Sequence, residues 1–231
     1  MKRVEYMRDM SADRSAGNLR IEIRHKKNSK CFYSQFGKRM LDIGLVVIGT
    51  PFVLPIMLIV AVLIKLEGGS VFFHQPRLGQ HGKKFRFWKF RSMTPNAEQR
   101  LEEYLASNPE AEREWRVSQK LRHDPRVTRV GRFIRKTSLD ELPQIWNVLV
   151  GDMSLVGPRP MLPQQWSLYP GKHYESLRPG ITGFWQVSVR NHVSFAERAQ
   201  FDADYARDMS LSTDVRTLFQ TVGAVCRGSG C

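Results

Sequence analysis

The chain has 231 residues, enough for one domain with appendages, and a formal net charge of +14 at pH 7. This charge predicts a polyanionic partner, which could be nucleic acid, anionic lipid or a phosphorylated substrate. The chain has three cysteines, Cys31, Cys226 and Cys231, whose spacing does not match a zinc site. Their positions also argue against a disulfide framework, which fits a reducing compartment.

The first segment, residues 1–37, is polar and basic and has no sustained hydrophobic period. We expect a basic flexible arm that lies beside an anionic surface. The apolar stretch that follows begins too late for a signal peptide, and no small-residue cleavage site comes after it.

An uncharged apolar run extends from Ile43 to Ile64; at ~1.5 Å per residue, a straight helix would be about 33 Å long, enough to cross a bilayer. Pro51 and Pro55 should bend or break this helix near its middle. Cations flank the run on both sides, and the positive-inside rule places both flanks in the cytoplasm. We therefore predict a re-entrant helix–break–helix hairpin over residues 38–66. A kinked single span is the alternative, and either proline could form the vertex.

The next segment predicts a short strand at Val71–Phe73 and a loop at Gln75–Gly79 that carries one cation. Basic and aromatic residues alternate from Lys84 to Phe90. This pattern fits base stacking, a strand with one buried face, or an interfacial belt. We place nucleic acid last, because the membrane segment already accounts for the basic and aromatic enrichment.

Three helical regions are predicted farther along the chain. Residues 95–121 form a charged helical pair divided at Asn108-Pro109. Arginine recurs every third residue in 126–135, which predicts a short basic amphipathic helix. One apolar face runs through 214–226, typical of a core helix or of a helix on a membrane surface. The segment 184–189 predicts a strand instead.

Two adjacent carboxylates, Asp140 and Glu141, follow the arginine-rich helix. Ser138 fits a helix N-cap, and Glu141 lies at the spacing of a capping box, which could be its whole role. In a first helical turn the dipole favours the ionised carboxylate. An ionised carboxylate among cations is a candidate nucleophile or metal ligand, and Asp140 fits that description better than Glu141.

Two proline- and glycine-rich loops present arginines, at Gly157–Pro160 and at Arg178–Gly183. Rigid loops of this kind suit fixed, directional recognition of phosphate. The sequence has no G-x-x-x-x-G-K or G-x-G-x-x-G motif, which argues against a P-loop nucleotidase or a Rossmann enzyme.

Taken together, these motifs resemble the bacterial sugar transferases, the small monotopic polyprenyl-phosphate phosphoglycosyl transferases. The resemblance extends from about Lys38 to the C-terminus and is closest to exopolysaccharide galactosyl-1-phosphate transferases. One departure is that the relatives often break the membrane segment at Ser-Pro, where this chain has Leu54-Pro55 and Thr50-Pro51. The matching segments are Lys38-Arg39-x-x-Asp42, the proline-broken run, Gly69–Val71, Lys89–Met93, Ser138–Gln144, Gly151–Ser154, Val156–Pro160 and Arg178–Gly183.

The resemblance implies a two-step reaction in which Asp140 attacks the β-phosphate of a UDP-sugar and UMP leaves. Undecaprenyl phosphate then takes the hexose 1-phosphate from the aspartyl intermediate. It also implies Mg²⁺ bound at Asp140 and Glu141, with Glu141 assisting metal binding or proton handling. UDP-galactose and UDP-glucose are the expected donors, and no residue decides between them. The family's phosphate-holding positions match Lys89, Arg135, Arg159 and Arg190.

The predicted fold class is α+β and mainly helical, with the membrane hairpin of 38–66 packed on a small globular catalytic domain over 67–231. We expect this domain on the cytoplasmic face of the bacterial inner membrane, with anionic lipids and not nucleic acid as partners. The alternatives are a glycosyltransferase that moves only the sugar and releases UDP, or a non-catalytic membrane-bound adaptor or nucleic-acid-binding protein. The homo-oligomeric state and the role of the arm stay open.

Overall fold

The computed structural model describes residues 32–118, 121–188 and 195–226. The described chain is mainly helical and carries two small sheets, which agrees with the predicted mainly helical α+β class. The basic arm predicted for 1–37 lies almost entirely outside the described residues.

The described residues form eight α-helices and four β-strands. The helices are α1 (Lys38–Leu66), α2 (Ala97–Ser107), α3 (Pro109–Ser118), α4 (Arg129–Lys136), α5 (Gln144–Val150), α6 (Phe184–Ser188), α7 (Arg198–Asp208) and α8 (Leu211–Cys226). The strands are β1 (Phe72–Leu78), β2 (Lys84–Phe90), β3 (Ser154–Val156) and β4 (Gly180–Thr182). A π-helical turn over Tyr33–Gly37 precedes α1, and 3₁₀ turns cover Gln80–Gly82, Leu139–Glu141, Pro163–Leu168 and Tyr174–Ser176.

Helix α1 is long and apolar enough to cross a membrane, by length and composition. It continues without interruption through Pro51 and Pro55, so the predicted break between two separate helices is not confirmed. Its middle is exposed, with Phe52 at 75%. The Thr50 hydroxyl donates to the Val46 carbonyl at 2.7 Å, a back-bond that often bends helices.

Both ends of α1 pack on the same globular body. At its start, Lys38 forms a 2.6 Å ion pair with Asp214 of α8, and Asp42 accepts the Leu155 backbone N–H at 2.9 Å. Near its end, Val60 and Ile64 are buried in a cluster with Phe90 and Ile134. The apolar helix is therefore fixed at its two ends, while its middle has little protein around it.

Strands β1 and β2 form an antiparallel hairpin with Phe73 opposite Lys89 and Arg77 opposite Phe85. The strand extends through Pro76, so the loop predicted for Gln75–Gly79 is wrong over most of its length. Proline is tolerated in this position because a two-stranded ribbon leaves one edge of each strand without a ladder partner.

Strands β3 and β4 pair in parallel, which brings the backbones of Gly157 and Gly180 into contact. A Cβ built on Gly180 would lie 2.1 Å from the Gly157 nitrogen, so only glycine fits. The strand predicted for 184–189 is wrong, because Phe184–Ser188 forms helix α6. The ring of Phe184 packs edge-on against Tyr205 of α7.

The remaining predicted helices are confirmed, although their bounds shift by a few residues. The charged segment divides into α2 and α3 at Asn108, and the basic segment forms α4. In α8, Asp214 and Thr217 are buried, whereas Phe219 is 74% exposed. Part of the predicted apolar face of this helix thus points away from the core.

Candidate active site

The two carboxylates lie on the 3₁₀ turn Leu139–Glu141, between α4 and α5. Leu139 and Leu142 flank the pair and pack in the cluster that contains Ile134. The acidic residues are therefore presented between two apolar anchors, and Asp140 is only 8% exposed. This arrangement fixes the position of the carboxylate more firmly than an open loop would.

The helix start predicted at Ser138 is wrong. Ser138 adopts a left-handed conformation with φ of 57° and makes no side-chain capping bond, so there is no capping box. Helix α5 begins later, at Gln144, with Pro143 in the N-cap position. The ionised state of Asp140 therefore does not depend on the first turn of an α-helix.

Lys89 of β2 supplies the positive charge instead. Its Nζ lies 3.3 Å from Asp140 Oδ2 and 2.8 Å from Glu141 Oε1. Asn147 of α5 holds this strand in place, since its side chain donates to the Arg86 carbonyl at 2.7 Å and accepts the Trp88 N–H at 3.2 Å. The hairpin and the 3₁₀ turn thus meet at the Lys89 ammonium group, and α5 holds the strand that carries it.

Burial and charge act in opposite directions on Asp140. Burial raises the pKa of its carboxyl, and the neighbouring Glu141 raises it further. Lys89 and, more weakly, Arg135 lower that pKa. The net effect is a raised pKa, so Asp140 is a poorly solvated carboxyl group paired with a cation, as expected of a nucleophile or a metal ligand.

The predicted phosphate-binding cations do not all lie together. Arg135 is near enough to act on Asp140 electrostatically, but its Nε donates to the Ser92 hydroxyl at 2.8 Å. Arg159 is exposed on a loop whose two flanking prolines are buried, and it borders a pocket with Lys89. Arg190 lies outside the described residues.

This pocket lies beside the carboxylate pair, and its empty space of about 310 Å³ includes open solvent. Asp140 does not line it, whereas its ion-pair partner Lys89 and the adjacent Glu141 do. Three cations border the pocket, which makes it suited to an anion. The lining residues are Arg77, Phe87, Lys89, Glu141, Gln144, Arg159, Pro160, Gly180, Ile181 and Gln186.

Arg77 and Gln144 are pocket residues that the sequence reasoning missed. Arg77 donates to the Pro160 carbonyl at 3.2 Å, while its buried Nε has no partner among the described residues. Burial lowers the pKa of Arg77 to about 10. Gln144 is 1% exposed, and its side-chain nitrogen likewise lacks a partner within the described chain. Both side chains keep hydrogen-bonding capacity beside the pocket.

The described residues contain no group of three or more His, Cys, Asp or Glu side chains that could hold a metal ion, so this part of the chain does not by itself form a complete metal cage. Mg²⁺, however, is commonly held by one or two carboxylates together with substrate phosphates and water. Asp140 and Glu141 both reach the same point, the Lys89 ammonium, so their oxygens converge on a cation. The donor set fits Mg²⁺ when phosphate oxygens complete it.

The family model described as bacterial sugar transferase matches residues 33–228 of this chain. The exopolysaccharide production protein ExoY of Sinorhizobium fredii is 44% identical over 196 residues, which cover 84% of this chain and 87% of that protein. The UDP-galactose-lipid carrier transferase of Erwinia amylovora is 46% identical over 200 residues, covering 85% of this chain.

The undecaprenyl-phosphate galactose phosphotransferase of Salmonella typhimurium is 44% identical over 214 residues, which cover 92% of this chain. The matches extend over 42% of the Erwinia protein and 44% of the Salmonella protein. The chain thus spans less than half the length of these two relatives but most of the length of ExoY.

Proposed function

Since the chain belongs to the bacterial sugar transferase family, we propose that it transfers a hexose 1-phosphate from a UDP-sugar to undecaprenyl phosphate and releases UMP. The observation that carries this proposal is the pairing of Asp140 and Glu141 with Lys89 at the edge of a cationic pocket. Two relatives named for galactose support UDP-galactose as donor, with UDP-glucose as the alternative. The product would begin an exopolysaccharide or another surface glycan.

The proposed reaction has two displacements at one phosphorus atom. A carboxylate oxygen of Asp140 attacks the β-phosphorus of the donor, and the bond from that phosphorus to the bridging oxygen breaks as UMP leaves. A phosphate oxygen of undecaprenyl phosphate then attacks the same phosphorus and releases Asp140. Each step needs in-line positioning and neutralised oxygen charge more than bond polarisation by the protein.

The described cations have distinct roles in this scheme. Lys89 keeps Asp140 ionised and then faces the phosphoryl oxygens, while Arg159 and Arg77 hold the diphosphate in the pocket. Arg135 tunes the charge of Asp140 from behind. Arg190, which matches a phosphate-holding position of the family, would complete the set from outside the described residues.

Asp140 and Glu141 would hold Mg²⁺ together with diphosphate oxygens, and the ion would neutralise charge on those oxygens. Glu141 is the more accessible of the two, with a side chain 25% exposed against 11% for Asp140. We therefore assign metal binding mainly to Glu141 and nucleophilic attack to Asp140. Chelation by EDTA should abolish turnover, and added Mg²⁺ should restore it.

For the membrane segment we propose a re-entrant arrangement in which α1 enters and leaves the same leaflet. Its two ends pack on one globular body at Asp42 and Ile64, whereas a crossing helix would place them on opposite sides of the hydrocarbon. The Thr50 back-bond and the two following prolines favour a bend in the exposed middle.

Cations on both flanks support the proposal that this body lies on the cytoplasmic side of the bacterial inner membrane, beside anionic lipids. Thiol labelling tests the topology. In a chain without its native cysteines, Phe36→Cys and Ser70→Cys should both react with an impermeant reagent only from the cytoplasmic side. Labelling of the two positions from opposite sides would exclude the hairpin.

The catalytic assignment is tested with purified protein, a panel of UDP-sugars and undecaprenyl phosphate. Asp140→Asn should abolish turnover without loss of membrane binding, whereas Asp208→Asn, an exposed change at the end of α7, should leave turnover unchanged. Donor without acceptor should add the mass of a hexose phosphate to Asp140. Release of UDP instead of UMP would support a glycosyltransferase that moves only the sugar, and normal turnover by Asp140→Asn would exclude this nucleophile.

A further inference from the structure

A second recess, whose empty space of about 260 Å³ includes open solvent, lies beside the pocket lined by Arg77, Lys89 and Arg159, here called the phosphate pocket. The two spaces share Arg159 as a wall. The recess is lined by Arg159, Met161, Tyr169, Trp185, Phe195, Arg198 and Asp202. The sequence reasoning assigned no role to most of these residues.

Two buried donors in this recess have no partner within the described chain. They are the indole Nε1 of Trp185, a residue only 8% exposed, and the guanidinium Nε of Arg198. The Arg198 guanidinium carbon lies 4.0 Å from the centre of a Trp185 ring, so the two groups are held against each other. An unsatisfied buried donor is costly, and a pair of them beside a recess indicates a ligand that brings acceptors.

Other residues of the lining supply aromatic surface and one acceptor. The rings of Tyr169 and Phe195 meet edge to face with centres 6.3 Å apart. The Tyr169 hydroxyl donates to Asp202 Oδ2 at 2.6 Å, and Oδ1 has no partner among the described residues. The recess thus combines flat apolar walls with two N–H donors and one carboxylate oxygen that have no partner among the described residues.

We propose that this recess binds the uracil ring of the donor, an inference that rests on the proposed function. Uracil presents a flat π-face, two carbonyl acceptors and one imide N–H, which match the aromatic walls, the two donors and Asp202 Oδ1. Hydroxyl groups of a hexose each donate and accept, so a hexose would leave this donor-rich wall less well matched. Arg159 joins the recess to the phosphate pocket, as the link between base and diphosphate requires.

Calorimetric titration of the full chain in detergent tests the inference, with UMP and inorganic pyrophosphate as the two probes. Trp185→Phe removes one donor and keeps an aromatic ring, while Arg198→Lys removes the Nε donor and keeps the charge. Each should weaken UMP binding by about 3- to 10-fold, the range of one hydrogen bond. Pyrophosphate lacks a base, so its affinity should stay within about 2-fold of the wild type, less than one hydrogen bond.

Trp146→Phe is the matched control, because Trp146 is 59% exposed on α5 and does not line the recess. Equal weakening of UMP and pyrophosphate by Trp185→Phe would overturn the inference. So would unchanged UMP binding with an altered preference between UDP-galactose and UDP-glucose, which would place the hexose in the recess. If the wild-type chain releases UDP and not UMP, the proposed function fails, but the two-probe comparison still decides where the base binds.

Discussion

Lys89 is the residue that holds the candidate active site together, since one ammonium pairs with both carboxylates. Its side chain is 23% exposed, pairs with buried Asp140 and lines the pocket. A single substitution there changes both the charge state of the nucleophile and the binding of phosphate.

Lys89→Gln should lower kcat by roughly 100-fold, the size of effect seen when one preorganised donor is removed. Lys89 lowers the pKa of Asp140, so its loss should raise that pKa. As the pH is lowered, the remaining activity of the variant should therefore be lost at a higher pH than the activity of the wild type. The pH profile of kcat/KM measures this shift. Lys89→Arg keeps the charge, so its kcat/KM should fall at the same acidic pH as that of the wild type. If the kcat/KM of Lys89→Gln also falls at the wild-type pH, the assigned role of Lys89 is contradicted.

Asp202 predicts a second pH effect, on stability. Burial raises the pKa of Asp202 to about 6 from an ordinary 3.8, against the lowering effects of Tyr169 and Arg198. As pH rises between these values the unfolded chain releases its proton first, so the free energy of unfolding falls by at most about 1.4 kcal/mol per pH unit.

Asp202→Asn should remove this slope between pH 4 and 6, because the amide does not titrate and still accepts from Tyr169. Denaturant titration at several pH values measures it. Asp204→Asn, in the same helix but partly exposed, should keep the slope. A slope that survives in Asp202→Asn would assign the proton to another group.

Several site residues could be predicted from sequence, and Arg77 shows why others could not. Asp140, Glu141 and Lys89 stand in distinctive motifs, and the structure brings them together. Arg77 follows Pro76, which favoured a loop, yet the strand continues and puts Arg77 on the same face as Lys89. Residues 72–78 show no regular apolar–polar alternation that would indicate a strand, and the proline favoured a loop.

The helices that could be predicted are those with a regular residue spacing or with a clear helix-ending residue. Helix α4 follows its arginine spacing, and Asn108 ends α2 as expected of a residue before proline. Phe184–Ser188 has aromatic and β-branched residues and reads as a strand, but it forms a helix packed on α7. Five or six residues carry too little periodicity to decide such a case, and tertiary packing decides it instead.

The parallel pairing of β3 with β4 depends on glycine at the contact. Gly180→Ala would place a methyl carbon 2.1 Å from the Gly157 nitrogen and 2.4 Å from the Thr182 oxygen. We expect a loss of about 1–3 kcal/mol or more in the free energy of unfolding, because two backbones must separate. Denaturant titration of the full chain in detergent measures the loss.

Gly223→Ala is the matched control, since a Cβ at Gly223 in α8 meets nothing within 4 Å. It should be neutral or should stabilise by up to about 1 kcal/mol, the difference in helix propensity. If Gly180→Ala proves as mild as this control, the close contact between β3 and β4 does not limit stability.

On the scale of the whole molecule, contacts between α1 and α8 join the first and last helices of the described chain. Asp214 is 1% exposed and accepts hydrogen bonds from Lys38, Tyr33 and Tyr205 at 2.6, 2.7 and 2.8 Å. Lys38 begins α1, Tyr33 lies in the π-helical turn before it, and Tyr205 lies in α7. A single buried carboxylate thus joins the membrane segment to the C-terminal helices.

Lys38→Met should lower the free energy of unfolding by about 3–5 kcal/mol, because Asp214 is left buried without a cation. Adding Asp214→Asn to that variant should recover part of the loss, since the uncompensated charge is removed. Lys65→Met, at the exposed other end of α1, should change little. Denaturation in detergent measures all three, and a double variant less stable than Lys38→Met would show that the pair is not the cause.

The ion pair between α1 and α8 joins residues 176 positions apart, and this separation has a consequence for synthesis. During translation Lys38 leaves the ribosome long before Asp214 has been made. Until then α1 is held by earlier parts of the chain, through Phe90 and Ile134 near its end and Leu155 near its start. The nascent chain gains the ion pair only when α8 has been made, so a product truncated before α8 would leave Lys38 without Asp214.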